Sequence, residues 1–186
     1  MHRLQPIIVN AVFALNVLLA FFLLFEGQLV VPRWLMPVGR LHPLLLHLPI
    51  GLLLLAGLLP WLKKEVDAKS FAPLQSFVLH LTALTAALAA VMGLLLAQED
   101  GYASGTVDQH KWTGAAVSFA SYGLLLLQRH FPARERLFHS ALAANIVLLI
   151  VAGHLGATLT HGEDFVLAPL RPETAPITED TPVYVA

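Results

Sequence analysis

No cysteine occurs in the 186 residues. Structural disulfides, thiolate metal sites, cysteine-held iron–sulfur clusters and covalently attached c-type haem are therefore excluded. Charge is nearly as scarce. Only 12% of residues are Asp, Glu, Lys or Arg, against 57% hydrophobic, and mean hydropathy is +0.72. A soluble core of this length would need far more polar surface than that, so the expected solvent is a bilayer. The chain also has no Gly-rich phosphate loop, no nucleophile elbow and no basic nucleic-acid patch, which sets aside nucleotide-dependent chemistry, serine hydrolysis and nucleic-acid partners.

Long apolar runs are what the chain does have. Crossing the hydrocarbon takes about 20 mostly apolar residues in a helix, and five runs qualify, approximately Ile7 to Phe25, Pro43 to Leu62, Leu74 to Gln98, His110 to Gln128 and Leu137 to Thr160. Only helices satisfy every backbone group in lipid over segments of this length, so the expected fold is an all-α, polytopic bundle of five transmembrane helices. Residues 1–35 read as an anchor helix with its outer connector, 36–166 as a four-helix histidine-rich membrane domain, and 167–186 as an extended periplasmic tail. The first run is too long for a signal-peptide core and lacks a small-x-small site after it, so it reads as a retained anchor. Asn10 and Asn16 within it are expected to turn towards neighbouring helices and pack there.

Lys and Arg concentrate in three segments that share a side if all five runs span: Arg3 at the amino terminus, Lys63, Lys64 and Lys69, and Arg129, Arg134 and Arg136. The positive-inside rule makes that side cytoplasmic and the carboxyl terminus periplasmic, in a bacterial inner membrane.

The remaining chemistry is histidine. Of the nine, His42, His47, His110, His154 and His161 fall at or near run ends that face the outer side on this topology. At 1.5 Å per residue, His47 lies about 7–8 Å below His42, and His154 about 10 Å below His161. Depths match for His42 with His161 and for His47 with His154, with His110 at the shallower level. Ionisable groups within a membrane are candidate functional residues, since each needs a partner or a metal there. Gly153 and Gly156 flank His154 and leave room for a bulky group such as a flat macrocycle, while Pro49 is expected to kink the second helix. His80 and His139, in the cytoplasmic half, form a weaker second site, open to a second haem.

Three motifs carry a resemblance: Gly39-Arg40-Leu41-His42-Pro43 with His47-Leu48-Pro49-Ile50, then Tyr102 and His110-Lys111-Trp112-Thr113-Gly114, then Gly153-His154-Leu155-Gly156 with Leu159-Thr160-His161-Gly162. In this order, over about residues 36 to 166, they resemble a family of bacterial inner-membrane domains of unassigned activity, often fused to planctomycete-type cytochrome c domains. The final Thr181-Pro182-Val183-Tyr184-Val185-Ala186 is similar to the lead-in of such cytochrome c domains. That similarity leaves open a stand-alone module or one that continues into such a domain.

Together these features point to a b-type cytochrome module: haem b, one or two, held by histidines near the periplasmic face and passing electrons between quinol and a periplasmic cytochrome c. Bis-histidine ligation suits this because it leaves no open coordination site. His47 and His154 are the expected axial ligands; His42, His110 and His161 would ligate a second haem, hydrogen-bond its propionates or bind quinol. The alternatives are a periplasmic-side Cu or Zn site built from these imidazoles with Glu163 or Asp164, and a non-catalytic anchor or assembly subunit of a respiratory complex.

Overall fold

Residues 4–28, 30–99, 104–163, 165 and 167–170 are described by a computed structural model of the chain. Among them there are helices and no strands. α1 (Gln5–Leu24) carries Pro6 in its first turn, where the missing N–H has no intrahelical partner to lose. The next apolar segment, Arg33–Leu62, is broken in three: α2 (Met36–Gly39), α3 (His42–Leu45) and α4 (His47–Leu62). Pro37, Pro43 and Pro49 each sit in the first turn of one piece. Each proline removes a donor from the turn before it, so the helix restarts instead of bending once at Pro49. α5 (Ala68–Leu96) starts at Asp67, whose carboxylate accepts from the Lys69 and Ser70 amides at 3.0 and 3.1 Å. α6 (Ser104–His130) and α7 (Glu135–His161) complete the bundle, and α7 stops at Gly162 with φ of 85°.

α4, α5, α6 and α7 close a ring through the contacts α4–α5, α5–α6, α6–α7 and α7–α4, with α1 laid against α5 and α6. This leaves α4 opposite α6 and α5 opposite α7. Leu53, Leu59, Leu79, Leu124, Leu125 and Leu142 fill the centre. The outer faces are apolar too: Ile7, Phe13, Leu44, Leu54, Trp61, Val147 and Ile150 are all exposed. Apolar surface of that extent on several helices is a surface made for lipid.

Four helices are long and apolar enough to cross a membrane: Gln5–Leu24, Arg33–Leu62, Lys69–Leu96 and Glu135–His161. Among the described residues α6 is not one of them, so four of the five expected spans are matched by length and composition. Its 27 residues include Asp108, Gln109, His110 and Lys111, and further along Ser118 and Ser121. Ser118 and Ser121 are tolerated because they face α1 and α7, while Trp112 and Phe119 of α6 stay exposed. Ser118 donates to Asn16 of α1 and Asn145 of α7 donates to Ser121, both at 3.0 Å and fully buried. Interhelical bonds of this kind contribute about 0.6–2 kcal/mol in a membrane. Asn16 thus packs inward as expected, whereas Asn10 is exposed.

Among the described glycines, Gly39 lies closest to the backbone of another helix. A Cβ there would lie 2.7 Å from the Leu96 nitrogen and 3.0 Å from the Leu95 carbonyl carbon of α5, whereas a Cβ at Gly51 meets nothing within 4 Å. Backbone atoms inside a helix cannot yield. Gly39→Ala is therefore expected to destabilise the bundle by about 1–3 kcal/mol, and Gly51→Ala to leave it unchanged. Aggregation temperatures of the two variants in the same detergent provide the check, and equal values would remove the close approach from the account.

Candidate functional site

One end of the bundle gathers Glu26, Arg40, Glu99 and Lys111, and the other Lys63, Arg129 and Glu135. At the Glu99 end, the short pieces before α4 are docked on α5 by consecutive residues. Gly39 meets the α5 backbone, and Arg40 holds Glu99 through Nε and Nη2 at 2.9 to 3.2 Å. His42 then reaches across to donate from Nδ1 to the Ala89 carbonyl at 2.8 Å. Its ring lies over Gly93, where an added Cβ would come within 3.1 Å of Cε1. The glycine is what allows an imidazole to lie against the helix there.

α6 repeats the arrangement on α7. His110 donates from Nδ1 to the Ala152 carbonyl at 3.0 Å, and its ring covers Gly156, where a Cβ would come within 2.9 Å of Cε1. The neighbouring Lys111 is half-buried and pairs with Glu26 at 2.6 Å and Asp108 at 2.7 Å, tying α6 to the residues just after α1. Each seat is an Ala and a Gly four residues apart, hence on one helix face: Ala89 and Gly93 in α5, Ala152 and Gly156 in α7.

The two seats bring their imidazoles together. The rings of His42 and His110 are 6.2 Å apart, centre to centre, and inclined at 74°. A carbonyl accepts only, so Nδ1 must carry the proton in both, leaving Nε2 as the lone-pair nitrogen. Metal-ligating histidines are held in this way, with the second nitrogen fixed to a backbone carbonyl.

The structure places the other expected site residues elsewhere. His47 and His154 are exposed, and His161 is exposed and stacked on Phe165 at 4.3 Å. Helical phase accounts for this. Five residues turn a helix by about 140°, so His47 cannot share the direction of His42, and His154, two residues from both Ala152 and Gly156, lies about 160° from the seat they form. Gly153 faces open space, and the room at Gly156 is taken by the His110 ring. Glu163 is exposed, and Asp164, Tyr102 and the tail from Arg171 lie outside the described residues. Among the described residues, no group of three or more His, Asp or Glu is placed to hold a metal ion together. Ala89, Gly93 and Ala152 escaped sequence reasoning; the spacing of small residues four apart in apolar helices was the signal for them.

At the Lys63 end, His80 is buried and donates from Nδ1 to the Ser76 carbonyl of its own helix at 2.6 Å, and its buried Nε2 has no hydrogen-bond partner among the described residues. It lines a cavity of about 430 Å³, with the exposed His139 on α7 among the other walls.

A family described as "Predicted membrane protein (DUF2231)" matches residues 39–165. The match opens at the glycine that meets α5 and includes both imidazole seats. No curated protein and no solved structure matches the chain.

The absence of cysteine makes the pairing directly testable. With cysteines introduced at 42 and 110, a short bifunctional thiol reagent should join them, and the product should migrate as a cross-linked species on a denaturing gel. The same reagent should leave cysteines at 47 and 154 unjoined. Equal cross-linking of both pairs would mean that the helices do not hold these phases.

Proposed function

As the chain belongs to that family of predicted membrane proteins, we propose that it is a membrane redox module that takes haem iron between His42 and His110. The observation that carries this reading is the pair of seats: two imidazoles from separate helices, each with Nδ1 committed to a helix carbonyl and the rings 6.2 Å apart. Two imidazoles on opposite sides of one metal, each with nitrogen about 2 Å from it, have ring centres about 6 Å apart. Haem supplies four nitrogens of its own, so two protein ligands suffice, whereas structural Zn sites ask for four. That favours haem over bare Cu or Zn here. Bound haem would supply a one-electron couple without an open coordination site, which is the chemistry of electron relay.

The chain's own residues do the rest. The carbonyls of Ala89 and Ala152 set the tautomer and orientation of the two rings and raise their basicity as ligands. Gly39 and the Arg40–Glu99 pair fix the piece that carries His42, and Lys111 with Glu26 fixes the turn that carries His110. By the positive-inside rule, the end carrying Lys63 and Arg129 faces the cytoplasm and the imidazole pair lies towards the periplasm of an inner membrane. A quinol in the bilayer and a periplasmic cytochrome c are then the fitting electron donor and acceptor. This reading moves the axial ligands from His47 and His154 to His42 and His110.

Purified protein is expected to show a reducible Soret and α band. His42→Ala and His110→Ala should each remove that bis-imidazole signal, while His47→Ala and His154→Ala, both at exposed positions, should retain it. Loss must be judged on monodisperse protein, since His42 and His110 also tie helices together. A colourless wild type, or a signal lost with His47 and kept without His42, would overturn the assignment. Orientation is read separately with reporters in the loop between α6 and α7, where a periplasm-only reporter should be silent.

A further inference from the structure

The cavity at the Lys63 end sits where α4 and α6 finish and α5 and α7 begin. Its lining divides by chemistry. Phe71, Leu125 and Phe138 are apolar, whereas Gln75, Gln128, Lys63, Arg129 and Glu135 present amides and charges. Its volume of about 430 Å³ is that of a small-molecule site, for which roughly 300–1,000 Å³ is usual.

The charges of the lining do not cancel. Lys63 and Glu135 neutralise one another at 3.1 Å, so with its histidines neutral the lining keeps one surplus charge, the Arg129 guanidinium. Among the described residues, the Arg129 side chain has neither an ion-pair nor a hydrogen-bond partner, and the side-chain amides of Gln75 and Gln128 are equally unengaged. A guanidinium offers a planar fork of donors that matches the oxygens of a phosphate. Each glutamine amide adds two more donors. Unengaged donors and a surplus positive charge around one space describe a ligand that is negative and rich in acceptor oxygens. The space is far larger than a bare phosphate needs, so an organic part fits with it, against Phe71, Leu125 and Phe138.

We propose that this cavity binds the phosphoester group of an anionic ligand, with Arg129 on the phosphate oxygens and Gln75 and Gln128 as further donors. A phospholipid headgroup and a soluble phosphoester share this chemistry. Position favours the lipid: Lys63, Arg129 and Glu135 stand at the helix ends of a lipid-faced bundle, where headgroups lie. The positive-inside rule turns this end to the cytoplasm, and basic pockets between membrane helices on that side hold acidic lipid headgroups. Binding there would tie the turn after α6 to α5 through one shared ligand. The site draws nothing from the imidazole pair at the other end, so the two readings stand or fall separately.

The probes are phosphatidylglycerol, phosphatidylcholine, glycerol 3-phosphate and sulfate, each added to the full chain in a neutral detergent. Aggregation temperature and lipid retained per chain in native mass spectrometry are the readouts. Phosphatidylglycerol should raise the aggregation temperature of wild type and stay bound at one per chain, and phosphatidylcholine should do neither. Arg129→Gln, at an exposed position, should lose both effects. Ala72→Trp, which fills the cavity from an exposed position and leaves every charge in place, should lose them too. Arg134→Gln should keep both, since Arg134 lies over Phe131 and is not part of the lining. Stabilisation of wild type by glycerol 3-phosphate, absent from both cavity variants and not increased by phosphatidylglycerol, supports the phosphoester site and makes its source soluble. Equal responses to phosphatidylglycerol in wild type and both cavity variants would overturn the proposal, because the lipid would then be held by the basic surface at large. A wild type that responds to sulfate as strongly as to either phosphoester, or to none of the probes, overturns it as well. A colourless protein that shows the expected pattern supports this site and overturns only the haem reading.

Discussion

Each half of the membrane domain turns on one interaction: a histidine ring packed over a glycine of a neighbouring helix and donating to the carbonyl four residues before it. In lipid, an imidazole has to find a partner within the protein. The intrahelical ladder has already used each carbonyl's usual donor, but a carbonyl oxygen has a second lone pair. Only where a side chain is missing can a ring from another helix reach it. Gly93 exposes Ala89 in this way, and Gly156 exposes Ala152. The bond therefore satisfies the histidine, sets the helix spacing and fixes which ring nitrogen keeps a lone pair. Losing either glycine would disturb all three at once.

The remaining polar groups of that end support the same geometry. The Arg40–Glu99 contact is bidentate but largely exposed on the Arg40 side, so it orients more than it stabilises. The half-buried Lys111 is different. Its charge is balanced by Glu26 and Asp108, and removing either carboxylate leaves charge in a poorly solvated place. α1 thus does more than anchor: through Glu26 and Asn16 it grips α6 at two depths. That grip lets α6 carry more polar residues than lipid contact would allow.

The helices were legible because composition and run length state the solvent, and the solvent dictates the fold. α6 was read as one more apolar span because its stretch from Gly114 to Leu127 looks like the others. What sequence could not give was its neighbours, which turn Ser118 and Ser121 into contacts. The histidine layer was legible as a layer, but the pairing within it was not. Depth along an axis can be counted from residue number, yet facing direction depends on phase, which turns by about 140° between His42 and His47. Matching by depth favoured His47 with His154, whereas phase joins His42 with His110.

The two ends of the bundle differ in how their histidines are placed. Helices two apart in the ring run parallel, so like positions in the two hairpins meet at one level. A histidine on the first helix of each hairpin, set on an Ala-and-Gly seat of the second, therefore yields a facing pair at the Glu99 end. At the Lys63 end only one hairpin has the deep histidine, His80, and the other has Ala143 at that level. A facing pair suits a centre with both axial positions filled and electrons as its sole traffic. Two parallel hairpins, one carrying His80 where the other carries Ala143, thus give the bundle two chemically distinct ends.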